Sequence, residues 1–336
     1  MSTAASLVAP PPQPPTPLAV SALPTSPVTA STPESAGARR DRVRLDELFK
    51  LDRPPGYYDE SARVALLRRG RRRPHDQMLV EFAGSDVLTE LTAAGRVLWC
   101  SLWNWHATID GQPLSAAGPW RELCWHTDSE VDYLEIELPL AAGWKLQRQF
   151  VLSRKDKFVY LADALLGSRE APAAEIRYAA TLALARGVRL AAAGETREAW
   201  LTAGRRRSAT LVPLALPEWR AERCHSDLTA GADGTLVLMQ AAQGRALYAP
   251  LWIDLDPQRA RQPLTWRRLT VAENLQVLQR DAAVGYRVQI GRGHWLTYRT
   301  LAPRGNRTVL GQNYSADFVC CRLLKDGTTD GIIEIQ

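Results

Sequence analysis

The chain has 336 residues, of which 46% are hydrophobic, so it can bury a sizeable core in one large or two ordinary domains. Its formal net charge of +6 comes mainly from arginine, and this bias alone does not identify an anionic partner. Five scattered cysteines exclude a disulfide scaffold, and no run approaches the roughly 20 apolar residues of a membrane span, so we expect a cytoplasmic protein with no membrane partner.

The first segment, residues 1–40, is rich in Pro, Ala, Ser and Thr and shows neither helical nor strand periodicity. Such a segment cannot bury enough apolar surface to offset the entropy of ordering, so we predict a disordered tail. The next segment, residues 41–90, is ambiguous, because Glu60–Leu67 within it fits either a short helix or an edge strand.

The remaining segment, residues 91–336, has apolar residues at every second position, which is the period of β-strands. The alternation in Asp132–Leu140 predicts one buried face and one wet face, the latter carrying Tyr133, Glu135 and Glu137. Phe158–Leu166 is apolar on both faces, as expected of a central strand. Further strands are predicted at 144–152, 176–184, 235–240, 246–253, 286–290, 294–301, 318–324 and 332–335.

Four Asp-Gly dipeptides lie between or beside these strands, and Asp-Gly supplies the positive φ angles of tight hairpins. They are at 110–111, 233–234, 326–327 and 330–331. Ala272–Gln279 is the one internal stretch that fits a helix, so strands do not alternate with helices as a parallel sheet would require. We therefore predict an all-β fold, a large antiparallel two-sheet sandwich over residues 91–336.

One strand pair carries a family resemblance. The run Leu146–Asp163, in which an Arg-led strand turns into an apolar strand ending in Asp, resembles the β-sandwich module of heparinase II/III-like polysaccharide lyases. Arg307–Asn313 followed by Phe318–Leu324 is compatible with the same module. The resemblance implies a sandwich related in shape to carbohydrate-active proteins. In those lyases an α-helical toroid precedes the module and contributes much of the cleft, and no segment here is expected to supply it, so no catalytic residue is carried over.

The most unusual local feature is an aromatic run at 98–106 followed by a second at 120–128. If each is one strand, Trp99, Trp103 and Trp105 share a face opposite His106. In the second, Trp125 and Leu123 lie opposite Glu122, His126 and Asp128. The candidate ligand-binding residues are Trp103, Trp105, Trp125 and Asp128, and the candidate acid and base residues are His106, His126 and Glu122.

Plainer interpretations accompany these candidates. The tryptophans are equally suited to anchor the core. Cys100, His106, Cys124 and His126 lack the tight spacing of a zinc site, so we expect no metal or cofactor. Arginine runs at 68–73 and 205–207 are typical of solvated loops and have no interleaved aromatic residues, so no nucleic acid partner is expected.

Three functions follow as hypotheses. The leading one is a carbohydrate-associated protein that binds a glycan or acidic saccharide. The second is a sugar-active lyase or epimerase that uses His/Glu acid-base chemistry. The third is a structural or protein-interaction domain. The sequence does not fix the oligomeric state.

Overall fold

A computed structural model describes residues 56–70, 76–168 and 170–336, so the tail predicted at 1–40 lies outside the described residues. The described residues belong to one compact unit. They form no α-helix, and none of them belongs to a helix long and apolar enough to cross a membrane.

Twenty-seven strands make up the described chain, and every pairing between neighbouring strands is antiparallel. The first nine are β1 (Tyr57–Asp59), β2 (Val64–Arg68), β3 (Gln77–Glu81), β4 (Leu88–Ala93), β5 (Arg96–Leu102), β6 (Asn104–Ile109), β7 (Gln112–Pro113), β8 (Arg121–Thr127) and β9 (Val131–Pro139). The next nine are β10 (Lys145–Ser153), β11 (Phe158–Leu166), β12 (Ala174–Leu182), β13 (Val188–Ala192), β14 (Ala199–Ala203), β15 (Arg206–Pro213), β16 (Asp227–Ala230), β17 (Leu236–Gly244) and β18 (Ala246–Asp254). The last nine are β19 (Leu264–Leu269), β20 (Ala272–Glu273), β21 (Gln276–Val277), β22 (Ala283–Ile290), β23 (Gly293–Thr300), β24 (Arg307–Val309), β25 (Gln312–Tyr314), β26 (Phe318–Leu323) and β27 (Thr329–Ile335).

These strands form five sheets, of which the largest has eight strands in the order β13-β14-β15-β18-β11-β10-β9-β8 and lies at the centre. One face of that central sheet packs against the sheets β1 to β5 and β16-β17-β12-β6-β7. The other face packs against β19-β22-β23-β26-β27, which in turn packs against the small sheet β21-β20-β24-β25. The predicted all-β antiparallel class is confirmed, and the structure adds that the central sheet is covered on both sides.

Because the central sheet is covered on both sides, the prediction of a solvent-exposed face for Asp132–Leu140 is wrong. In β9, Tyr133, Glu135 and Glu137 are all buried, since the C-terminal sheet lies over them. Glu135 tolerates burial because Arg299 donates a 2.6 Å hydrogen bond to it and the Tyr133 hydroxyl donates another at 2.5 Å. Alternation in one strand cannot reveal a partner so distant in sequence.

Three local predictions also change. Ala272–Gln279 is not helical but holds the hairpin of β20 and β21, in which Asn274 and Leu275 take positive φ at the turn. The described residues between 57 and 93 include the strands β1 to β4, so Glu60–Leu67 contributes to β2, which lies inside its sheet rather than at the edge. The sheets therefore begin well before residue 91. Of the Asp-Gly pairs, the one at 330–331 lies within β27 instead of in a turn.

Candidate functional site

The first aromatic run is divided between two sheets. β5 ends at Leu102 and β6 begins at Asn104, so Trp103 lies at the crossing point and the single predicted strand does not form. Trp99 and Trp103 are buried, and Trp105 packs half-buried against the same core. These three rings therefore help to build the interior.

A buried arginine explains why Trp103 is internal. The guanidinium of Arg148 lies 4.3 Å from the Trp103 ring centre and 5.2 Å from that of Trp120. It also donates a 2.9 Å hydrogen bond to the Trp103 carbonyl oxygen. Because the rings face a cation that is itself fully buried, neither offers a free surface to a sugar.

The second run contains a β-bulge at Leu123, where the register between β8 and β9 shifts. The bulge places Glu122 on the same face as Trp125, whose ring packs against Tyr58. Burial and a hydrogen bond with Glu122 raise the pKa of Tyr58. Cys124 and His126 lie on the other face, where Cys124 packs against the C-terminal sheet. The predicted shared face of Glu122 and His126 is therefore corrected, because one inserted residue reverses the alternation.

His126 forms an exposed pair with Asp128, with 3.0 Å between Nε2 and Oδ2. Burial acts to raise the pKa of Asp128, but hydrogen bonds from His126 and from backbone N–H groups outweigh it and lower that pKa. His106 is exposed on β6, opposite Ala179 of β12, and this sheet is not the one that contains His126 and Glu122. The structure therefore does not bring His106, His126 and Glu122 into one acid-base group. Within the described ranges, no three metal-binding side chains come together either.

A cleft lies where the loop 214–226 meets β17, β18, β19 and β22, and we call it the Trp219 cleft. Its volume is about 820 Å³, within the range of ligand pockets. The Trp219 side chain lines it and is 53% exposed. A free indole face at a cleft of this size is the property that the predicted tryptophans lack.

The loop that carries Trp219 is fixed from two sides. The buried Arg197 donates hydrogen bonds to the carbonyl oxygens of Pro217, Trp219 and Glu222, at 3.0, 2.5 and 2.7 Å. On the β19 side, Thr265 donates a 2.6 Å hydrogen bond to the Glu218 carboxylate. These contacts hold the loop in place before any ligand arrives, which lowers the entropy cost of binding.

The Trp219 cleft is rich in arginine. Arg223, Arg267, Arg268 and Arg280 line it and are exposed, whereas the acidic lining residues are Glu218 and Glu222. Within the part of the chain that the structure describes, none of these four guanidinium groups has a carboxylate partner. The cleft therefore offers positive charge that is not neutralised internally.

The floor of the cleft is aromatic and polar. Tyr248 and Tyr286 line it, and burial raises the pKa of Tyr286 while the positive charge of nearby Arg280 opposes this. Gln240 also lines the cleft, is 6% exposed, and has a buried side-chain oxygen with no hydrogen-bond partner among the described residues. A buried acceptor without a donor favours a ligand or water that supplies a hydroxyl or N–H group.

Sequence reasoning missed this cleft. The only signals in the sequence are that Trp219 lies close to Arg220 and Arg223, and that Trp266 is followed directly by two arginines. Neither forms a motif, because the lining comes from four separate parts of the chain.

No protein-family model and no curated protein sequence matches this chain. Solved structures do match: heparan sulfate lyase HepC from Pedobacter heparinus, with 12% identity and a TM-score of 0.52, aligns over 79% of this chain and 48% of its own. A mutant of the same lyase has 13% identity and a TM-score of 0.52, over 76% of this chain and 44% of its own.

A heparinase III (the BT4657 gene product, with methylated lysines) has 9% identity and a TM-score of 0.52, over 79% of this chain and 47% of its own. This chain thus spans less than half the length of the structures it matches. The similarity confirms, at the level of the fold, the resemblance that the strand pair 146–163 indicates.

Proposed function

We propose that this protein binds an acidic saccharide in the Trp219 cleft and acts as a carbohydrate-binding β-sandwich. The observation that carries the proposal is the exposed Trp219 ring in a cleft with four arginines that form no ion pair with a described residue. The proposal moves the ligand site away from Trp103, Trp105, Trp125 and Asp128.

The chemistry of the cleft fits a charged sugar. An indole ring stacks on the apolar face of a pyranose and excludes water there. Guanidinium groups form paired hydrogen bonds to a planar carboxylate and also bind sulfate, so arginine suits an acidic sugar better than a neutral one. The unpaired oxygen of Gln240 accepts a hydrogen bond from a sugar hydroxyl.

The fold supports the same ligand class. Structurally similar proteins include heparan sulfate lyases, in which a related sandwich forms part of a protein that acts on a polysaccharide. Catalysis is not part of the proposal, since His106, His126 and Glu122 lie on different strand faces and in different sheets.

Isothermal titration with a heparin-derived tetrasaccharide and with a neutral tetrasaccharide tests the proposal. We expect binding of the acidic sugar alone, and we expect Trp219→Ala to weaken it about tenfold, equivalent to about 1.4 kcal/mol. Arg268→Ser should weaken it by a similar factor, while Arg292→Ser, which removes an exposed arginine outside the cleft, should not. Equal binding of the neutral sugar, or an unchanged affinity in Trp219→Ala, contradicts the proposal.

A further inference from the structure

A second group of arginines lies outside the Trp219 cleft, on β13, the β14–β15 hairpin and the segment after β18. We call it the arginine face, and all its members are exposed. It consists of Arg186, Arg189, Arg205, Arg206, Arg207 and Arg261. None of these residues lines the cleft.

Strand pairing brings these residues together. Thr202 of β14 lies between Arg189 of β13 and Arg207 of β15, opposite both. Because neighbouring strands are about 4.8 Å apart, the backbones of the two arginines are roughly 10 Å apart. Arg207 also donates a 2.9 Å hydrogen bond to the carbonyl oxygen of Ala260, which places Arg261 beside the hairpin.

The remaining members are at the same end of these strands, although Arg206 precedes Arg207 on β15 and its side chain therefore projects from the opposite side of the sheet. Arg186 lies in the turn just before Val188, which pairs with Ala203 at the start of the hairpin that holds Arg205. The predicted solvated loop at 205–207 is therefore in part a strand, since β15 begins at Arg206. The sheet fixes the backbones of Arg206 and Arg207, while their side chains remain exposed.

The sequence around most of these arginines lacks acidic residues. The stretches 183–194 and 199–217 contain neither Asp nor Glu. Within the described residues, none of the six arginines forms an ion pair, whereas Arg121, Arg154 and Arg322 each do. Like charges held close together repel, so a polyanion that neutralises them gains affinity as it releases its counterions.

The face offers charge but no free aromatic surface. The guanidinium of Arg207 covers the ring of Trp200 at 3.9 Å from its centre. Single-stranded nucleic acid binding relies on exposed aromatic platforms, and among the described residues this face presents none. Reading of a duplex by an inserted helix is not possible there either, since the described residues form no α-helix.

We infer that the arginine face is a second contact surface for an acidic polysaccharide chain, distinct from the Trp219 cleft. The identity of the ligand as a saccharide rests on the proposed function, whereas the existence of the polyanion surface does not. A short acidic sugar occupies the cleft alone, and a long one also contacts the arginine face and binds more tightly through the added contact.

Binding of long heparin chains and of the heparin tetrasaccharide, measured for three variants, tests the inference. Arg205→Ser/Arg206→Ser should weaken long-chain binding about tenfold at about 0.1 M salt and leave tetrasaccharide binding unchanged. It should also reduce the slope of affinity against salt concentration. Arg96→Ser/Arg292→Ser removes two exposed arginines elsewhere and should change neither. Arg268→Ser should weaken both ligands.

Each outcome has a distinct meaning. If Arg205→Ser/Arg206→Ser loses long-chain binding while every variant still binds the tetrasaccharide, the result supports the arginine face and counts against the cleft. Equal long-chain binding by wild type and Arg205→Ser/Arg206→Ser overturns the inference. Tighter binding of a duplex DNA than of a long heparin chain of equal charge also overturns the inference, because it would assign the face to nucleic acid. Thermal unfolding of all variants confirms that the fold is retained.

Discussion

Arg148 and Asp163 face each other on β10 and β11 and are joined by two hydrogen bonds, of 2.7 and 2.9 Å, in the centre of the core. Both side chains are almost completely buried, and the Tyr178 hydroxyl donates a further hydrogen bond to the same carboxylate. This pair lies within the run 146–163 that resembles the lyase module, so the most recognisable part of the sequence builds the interior.

Breaking this pair should be costly. Arg148→Leu leaves the Asp163 carboxylate buried without its cation, and we expect a loss of about 3 to 5 kcal/mol in the free energy of unfolding, measured with urea. Arg148→Leu/Asp163→Leu should recover part of that loss. The exposed pair of Arg177 and Glu175 is the control, where Arg177→Ala should cost about 0.5 kcal/mol or less. A mild effect of Arg148→Leu would contradict the role of the pair.

Arg197 should control the Trp219 loop without touching ligand. Arg197→Ala removes the side-chain donor of three carbonyl oxygens, of which that of Trp219 keeps the Glu222 N–H, and we expect a loss of about 2 to 3 kcal/mol in stability. Saccharide affinity should also fall, because the loop must then be ordered on binding. Urea unfolding and titration calorimetry measure the two effects, and an intact affinity in a destabilised Arg197→Ala would show that the loop is held by other contacts.

Acid should weaken the contact between the turn after β10 and β26. Burial acts to raise the pKa of Asp156, but hydrogen bonds from Arg322 and Trp295 outweigh it and hold that pKa below its ordinary value of 3.8. The folded state therefore binds this proton less readily than the unfolded state. The stability that the carboxylate contributes is complete above about pH 4 and is lost as the pH falls through the lowered pKa.

Arg322→Gln removes the main group that lowers this pKa. The stability difference between wild type and Arg322→Gln should therefore be largest near pH 7 and shrink below pH 4, as measured by urea midpoints at several pH values. Arg177→Gln, at the exposed pair, should show a small difference throughout. If the stability difference between wild type and Arg322→Gln stays constant down to pH 3, titration of Asp156 is excluded as the cause of the acid sensitivity.

The two adjacent cysteines should be inert in the folded protein. Cys320 and Cys321 are buried on opposite faces of β26, and burial raises the pKa of Cys321 to about 11 and that of Cys320 well above its usual range. At pH 8 a colorimetric thiol reagent should label Cys100 rapidly and these two only after unfolding. Cys100→Ser should remove the fast phase, and rapid labelling of Cys320 in native protein would disprove the expectation.

Period-two alternation predicted most of the central sheet. Phe158–Leu166 matches β11 residue for residue, because a strand covered on both faces is apolar throughout. The polar face of β9 could not be predicted, since it is buried by Arg299, which is 164 residues away from Glu135 in sequence. Burial of a carboxylate depends on a partner that no local pattern specifies.

The candidate site was harder to predict for a related reason. Alternation runs unbroken through Trp103 even though the chain changes sheet there, and the extra residue Leu123 changes which face Glu122 occupies. The Trp219 cleft combines a loop with strands of three sheets. Its arginines are visible in the sequence, but only the fold shows that they share one cavity.

The bulge at Leu123 has a consequence for solubility as well as for the placement of Glu122. Strand β8 is the last strand of the central sheet, so its outer backbone groups are available for pairing with another chain. The extra residue interrupts the regular ladder and twists the strand locally. A second copy therefore cannot pair with β8 in continuous register, so the bulge protects this edge of the largest sheet against edge-to-edge aggregation.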